Sequence, residues 1–380
     1  MLLISKQIHN KKTKWLDFGN IFMLDKYLLI SLATLLCISF VALYSAGSGN
    51  YEIWLKKQLI SFLIGLLFLA IGSSINEMLV YRFSYYFYII CIILLLFASI
   101  GGYKANGAVR WIDLKFIKIQ PSEFMKLAII LALSRFLHDS YNLNRHPLTT
   151  TAISFILIAI PCAIVVMQPD LATTIVLLGI GVAMIFCGGL SYRYIILALI
   201  SFALTIPLIW SKLYSYQKLR IVNFMNPEYD YLNSGYNIIQ SKIGLGSGGF
   251  IGKGIAKGSQ SQLRFLPEKQ TDFIYSMIGE EMGFIGCFLI LISFFYIINY
   301  CYKNAVASKL WFSKCTLLGI GVFFFNHCIV NIGMTLGIVP AAGVPLPMVS
   351  YGGSVLITSM FMIGLISNIS TNIRYNLKLF

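Results

Sequence analysis

The sequence predicts an all-α polytopic membrane protein of about ten transmembrane helices, with one long extracytoplasmic loop and a re-entrant Pro/Gly-rich segment. Three observations carry this. First, 58% of the 380 residues are apolar and 11% charged, at a mean hydropathy of +0.80, where soluble proteins carry roughly a quarter charged residues. Second, apolar runs recur at the length of about 20 residues that a membrane-spanning helix needs. Third, Gly and Pro cluster inside the apolar C-terminal region, where irregular backbone is tolerated only if it is buried in protein or lines a wet cavity. The same composition excludes disordered and nucleic-acid-binding architectures. The net charge of +15 is read as loop Lys and Arg that orient helices and meet membrane lipids.

In order, a basic N-terminal segment over 1–26 leads into a full-length span rather than a cleavable signal peptide. Spans follow near 27–46, 55–75 and 84–100, then a charged, glycine-containing loop over 101–122. Further spans fall near 123–138, 148–168, 170–187 and 191–211, then a polar stretch over 212–271. The last three lie near 272–300, 311–338 and 350–370, before a tail over 371–380. An even number of spans puts both termini on one side. Fourteen of the 29 basic residues fall in short segments on that side and six in short loops opposite, so both termini are assigned to the cytoplasm. The 212–271 loop is then outside. The eight cysteines lie within or beside apolar runs without CxxC spacing and read as small hydrophobes.

Four segments depart from what hydrophobic packing requires. In Gln120-Pro121-Ser122-Glu123-Phe124-Met125-Lys126, proline suits a first helical turn, and Glu123 and Lys126 share a helix face. They form either an interfacial ion pair or a charged site at the outer membrane boundary. In Gln168-Pro169-Asp170-Leu171, Asp170 either caps a helix or faces a cavity. The third segment is the long loop. Its tract from Gly244 to Gly254 lacks the strand–loop–helix context of a nucleotide site and reads as flexible backbone able to approach a bulky polar ligand. Downstream, Asp272 stands at a helix N-terminus, as an N-cap or as part of an interfacial site with Glu280, Glu281 and the loop cations. Such a constellation suits a lipid-linked anionic substrate. The fourth, from Gly333 to Ser354, reads as the re-entrant turn beside a groove.

Together these motifs resemble the SEDS family (shape, elongation, division and sporulation) over nearly the whole chain. The resemblance rests on Pro121–Lys126, Gln168–Leu171, Tyr236–Ile243 with the glycine tract, Leu266–Phe273 and Pro345–Gly353. Asn331-Ile332-Gly333-Met334 and Gly258-Ser259-Gln260 look more like the elongation branch than the division branch. The resemblance implies a peptidoglycan glycosyltransferase acting at the outer face of the cytoplasmic (inner) membrane. It would polymerise lipid II, the undecaprenyl-diphosphate-linked disaccharide peptide, and release undecaprenyl diphosphate with inversion.

Carried over by motif, Asp272 matches the family's essential loop aspartate, as base or as ligand to a divalent cation (Mg2+ or Mn2+), with no organic cofactor. Glu123 and Lys126 match its paired charges near the substrate groove, and Asp170 and Ser350 match positions near the same cavity. Lys242 and Arg264 join Lys126 as candidates for the diphosphate. The resemblance also implies a class B penicillin-binding transpeptidase as partner, and the elongation machinery more loosely. Departures are Gln270 for a usual His, Met348 for Phe and Val355 for Ser. His327, mid-span, is read as a residue with a satisfied packing or helix–helix role, and His138 as lying at a cytoplasmic helix end. A lipid II flippase and a non-catalytic scaffold of the cell-wall synthesis complex are the alternatives; no internal repeat of the kind common in transporters is found.

Overall fold

The computed structural model describes residues 25–101, 103–105, 108–113, 118–188, 211, 218, 222, 234–263, 265–266, 268–340 and 343–378. In chain order these form α1 (Lys26–Ala46), α2 (Leu55–Ser74) and α3 (Glu77–Gly101), followed by β1 (Tyr103–Ala105), β2 (Ala108–Asp113) and β3 (Lys118–Ile119). Then come α4 (Pro121–Asn142), α5 (Pro147–Met167), α6 (Leu171–Cys187), α7 (Ser234–Ser247) and the short α8 (Ser259–Gln262). The C-terminal region holds α9 (Ile274–Ala307), α10 (Trp311–Thr335) and α11 (Gly353–Lys378).

Among these, α1, α2, α3, α5, α9, α10 and α11 are long and apolar enough to cross a membrane. Helix α4 has comparable length but carries Glu123, Lys126, Arg135 and Asp139, and α6 is a shorter apolar helix of 17 residues. The span expected near 191–211 lies outside the described residues except for Ser211. The expected loop over 101–122 instead contains a three-stranded antiparallel sheet in the order β1-β2-β3, with Tyr103 paired to Trp111 and Ile112 to Ile119. The segment Val109-Arg110-Trp111-Ile112 is too short for a helix and rich in strand-favouring β-branched and aromatic residues. The fold is therefore nearly, not wholly, α-helical.

Helix starts follow their caps. Asp25 accepts the N–H groups of Tyr27 and Leu28 at 3.0 and 3.2 Å, and prolines occupy the first turns of α4 and α5. Burial pushes the Asp25 carboxyl up. Bonds from Tyr296, Leu28, Arg374 and Tyr27 outweigh that and hold it below the usual carboxylate range, tying together one end of α1, α9 and α11.

Helix α11 is the most deeply buried of the long apolar helices described. It packs along α2 through a close backbone approach. A Cβ on Gly72 would stand 2.7 Å from the Phe361 carbonyl oxygen, and one on Gly364 only 2.9 Å from the Ser73 nitrogen. Next to this crossing, Asn368 donates to the carbonyls of Gly72, Ser73 and Ile75 at 3.4, 2.9 and 2.6 Å, pairing oxygens that the end of α2 leaves open.

Helix α9 is broken at Gly283, whose φ of 66° and ψ of −160° only glycine adopts readily. The glycine tract repairs the break. Phe284 and Ile285 donate their N–H groups to the carbonyls of Gly249 and Phe250, while Lys253 and Gly254 donate theirs to Glu280 and Glu281. The four backbone groups that a continuous helix would pair with one another are thus exchanged with the loop. The contact needs Gly252, where a Cβ would lie 2.6 Å from the Gly283 nitrogen. This corrects the expectation of a flexible ligand-approaching tract, because its backbone is committed to the helix break. It also gives ordered structure to part of the long loop.

Two outcomes are expected. Gly364→Ala, whose added methyl meets backbone rather than a movable side chain, should lower stability by about 1–3 kcal/mol, read as thermal unfolding in detergent. Gly252→Ala should also lower the melting temperature, whereas Gly246→Ala, where a Cβ meets nothing within 4 Å, should not.

Candidate active site

The site is built around an irregular segment, residues 343–352, that runs through the protein between α10 and α11. Val344, Leu346, Met348, Val349 and Ser350 are all buried, so its backbone groups need partners within the protein. Each of several elements supplies one. From α10, Asn331 donates to the Val344 carbonyl at 2.7 Å and His327 to the Pro345 carbonyl at 2.9 Å. From α1, Ser39 donates to the Val349 carbonyl at 2.8 Å. Gln58 of α2, wholly buried, donates to the Ser350 carbonyl and accepts the Gly352 N–H, both at 3.3 Å.

The turn ahead of α9 docks on the same segment. Ser350 donates its hydroxyl to the Thr271 carbonyl at 2.6 Å and accepts the Leu346 N–H at 2.8 Å, while the Tyr351 N–H reaches the Gln270 carbonyl at 2.9 Å. Asp272 follows this joint. Its N–H donates to the Glu268 carbonyl at 3.1 Å, and its own carbonyl accepts from Asn331 at 3.0 Å. The half-buried carboxylate lies beside Gly343, Oδ2 being 3.1 Å from where a Cβ there would stand. Asp272 is not the cap of α9; that position belongs to Phe273, which makes no side-chain capping bond. Ser350 is bonded wholly to backbone and fixes the Asp272 turn.

At the start of α4, Lys126 and Glu123 form an ion pair of 2.7 Å at 1% and 2% exposure, which rules out a pair snorkelling to water. Glu123 Oε2 has no hydrogen-bond partner among the described residues. Lys126 Nζ also lies 3.0 Å from His327 Nε2. The Pro345 carbonyl can only accept, so His327 carries its hydrogen on Nδ1 and offers the Nε2 lone pair to the Lys126 ammonium. Of the packing and helix–helix roles expected for it, His327 takes the second, with both ring nitrogens bonded. Its one sequence signal is its i,i+4 spacing from Asn331, which puts both on one face of α10.

Asp170 caps α6 through the Thr173 N–H at 3.2 Å and also pairs with Arg110 of β2 at 3.0 Å. The capping expectation is met, and the second carboxylate oxygen is paired with Arg110. Lys242 on α7 is exposed and lies across Gly337, leaving no room for a Cβ there, at the C-terminal end of α10 where a cation suits the helix dipole. Arg264 lies outside the described residues. Glu280 and Glu281 are bonded by the loop: Glu280 receives Lys253 at 2.8 Å, and Glu281 receives Ser45 at 2.7 Å and Ser261 at 3.0 Å. The structure therefore links Glu123, Lys126, Ser350 and Asp272 through α10; Asp170 reaches Gln120, just ahead of α4, at 3.5 Å, while Lys242, Glu280 and Glu281 are held by other partners.

Against known proteins, the FtsW/RodA/SpoVE family, described as cell cycle protein, matches residues 20–375. The chain is 38% identical over 364 residues to the peptidoglycan glycosyltransferase MrdB of Escherichia coli strain K12, covering 96% of each chain. It is 34% identical over 363 residues to the probable peptidoglycan glycosyltransferase FtsW of Trichlorobacter lovleyi, covering 92% of this chain and 94% of that one. Among solved structures, a chain of a peptidoglycan synthase complex that coordinates polymerization and crosslinking matches with a TM-score of 0.80 at 26% identity, over 92% of this chain and 98% of that one. The rod shape determining protein RodA of Thermus thermophilus shares the fold, with a TM-score of 0.68 at 24% identity over 92% and 97%. The chain belongs to the FtsW/RodA/SpoVE family, the SEDS family its motifs resemble.

Proposed function

We propose that this multi-pass inner-membrane peptidoglycan glycosyltransferase extends glycan strands from lipid II during cell elongation, with Asp272 at the reacting centre. The observation that carries the assignment is the placement of Asp272. Its carboxylate is half-buried beside Gly343, while its backbone is held on both sides, by Glu268 and by Asn331. A base or ligand must be preorganised in this way to act without reorganising.

In the reaction, a sugar hydroxyl attacks the anomeric carbon of a lipid-linked sugar. The carbon–oxygen bond to the diphosphate breaks on the opposite face, giving inversion, and the hydroxyl proton passes to a base. Asp272 serves as that base or holds a divalent cation. Its single carboxylate suits Mg2+ or Mn2+ only where diphosphate and water oxygens complete the shell, since no three His, Cys, Asp or Glu cluster among the described residues. A bound cation would neutralise charge on the leaving diphosphate. Glu123 holds the Lys126 ammonium; Lys126, Lys242 and Arg264 contribute positive charge toward the diphosphate. Asp170 and Ser350 shape the cavity. The site faces the outside with both termini cytoplasmic, and a class B penicillin-binding transpeptidase crosslinks the product within the elongation machinery.

Purified protein given labelled lipid II, a divalent cation and the transpeptidase is expected to yield a glycan ladder on a gel, and Asp272→Ala to abolish it. A ladder from the variant, or none from well-folded wild type, would overturn the assignment. A second expectation separates folding from chemistry. Lys126→Met leaves Glu123 buried and unpaired and should cost roughly 3–5 kcal/mol of stability. Adding Glu123→Gln should recover much of the melting temperature while polymerisation stays lost.

A further inference from the structure

We infer that His327 is a positioning residue for polymerisation: it ties the buried Glu123–Lys126 pair to the backbone segment that holds Asp272. Four observations carry this. His327 is wholly buried, and each ring nitrogen has a partner on a different element, Lys126 of α4 at 3.0 Å and the Pro345 carbonyl at 2.9 Å. One turn along α10, Asn331 holds the neighbouring Val344 carbonyl and the Asp272 carbonyl with a single amide. Gly343, adjoining that clamped pair, lies against the Asp272 carboxylate. The ring itself is fixed by packing, its centroid 4.5 Å from that of Phe323, whose face Lys126 also approaches at 5.9 Å.

The geometry makes His327 a strut. Lys126 is a point charge on a flexible stem and does not by itself fix direction. The imidazole is planar and gives the ammonium one lone pair in one place. Its other nitrogen pins the Pro345 carbonyl at 2.9 Å. Removing the ring frees that carbonyl and the ammonium together, so the charged pair and the Asp272 turn lose their common reference. A loosened supporting shell of this kind lowers turnover more than substrate binding.

The inference rests on the polymerase reading for its kinetic readout only. The test compares full-length wild type, His327→Leu and His327→Gln, reconstituted with the transpeptidase. His327→Leu is expected to lower kcat by roughly tenfold to a hundredfold with KM for lipid II nearly unchanged. His327→Gln, whose amide can donate to Pro345 and accept from Lys126, is expected to restore most of the loss.

Hydrogen exchange supplies a second readout that needs no activity. The amides of Val349, Ser350 and Tyr351 bond within the segment or to Gln270, and should exchange faster in His327→Leu but near wild type in His327→Gln. If the leucine variant does not purify as monodisperse protein, His327→Asn, polar but too short to reach both partners, is expected to behave in its place. The role is overturned if the folded leucine or asparagine variant exchanges like wild type, if glutamine fails to rescue, or if KM rises while kcat holds. Wild type without a ladder would sink the polymerase reading, and exchange would still decide the role of His327.

Discussion

The buried, irregular backbone of residues 343–352 is the constraint on which the rest of the site depends. A helix satisfies its own hydrogen bonds, whereas a non-helical segment within a membrane bundle must borrow partners from elsewhere. Here the donors and acceptors come from Ser39, Gln58, Gln270, Thr271, His327 and Asn331. Each bond that satisfies the segment also fixes the element that supplies it. The Asp272 turn, the start of α4 and the middle of α10 are thereby set relative to one another.

The same logic of exchanged backbone bonds operates a second time at Gly283. The broken helix and the glycine tract complete each other, with Glu280 and Glu281 drawing the rest of the loop inward through carboxylate bonds. A run of glycines that looks suited to a ligand is occupied by a helix. The requirement is steric, because backbone must approach backbone closely enough to exchange hydrogen bonds, and a side chain at Gly252 would stand in the way.

Charge follows a related division of labour. Several cations and acids are absorbed by single charged partners or a helix end: Arg110 by Asp170, Lys253 by Glu280, and Lys242 at the end of α10. Glu123 and Lys126 are different, because they are wholly buried and their network crosses to a third group on another helix. A buried ion pair is weak evidence for stability, since desolvation offsets much of its attraction. Its value here lies in holding a fixed local field beside the segment that carries Asp272.

Composition and hydropathy by themselves determined a membrane bundle, because apolar runs of span length have no other stable use. The motifs determined the family and pointed to Asp272, Glu123, Lys126 and Ser350, residues whose polarity is costly where they stand. Local pattern also marked the starts of α4 and α6, since Pro121 and Asp170 act within one turn. Only the tertiary structure decided that the glycine tract mends a helix, that the segment over 103–119 contains a small sheet, and that Asp170 meets Arg110. It alone assigned His327, whose two partners lie on other elements, one of them 201 residues away in sequence. A histidine inside a membrane span looks the same in sequence whether it packs or connects, and only the positions of distant atoms distinguish the two.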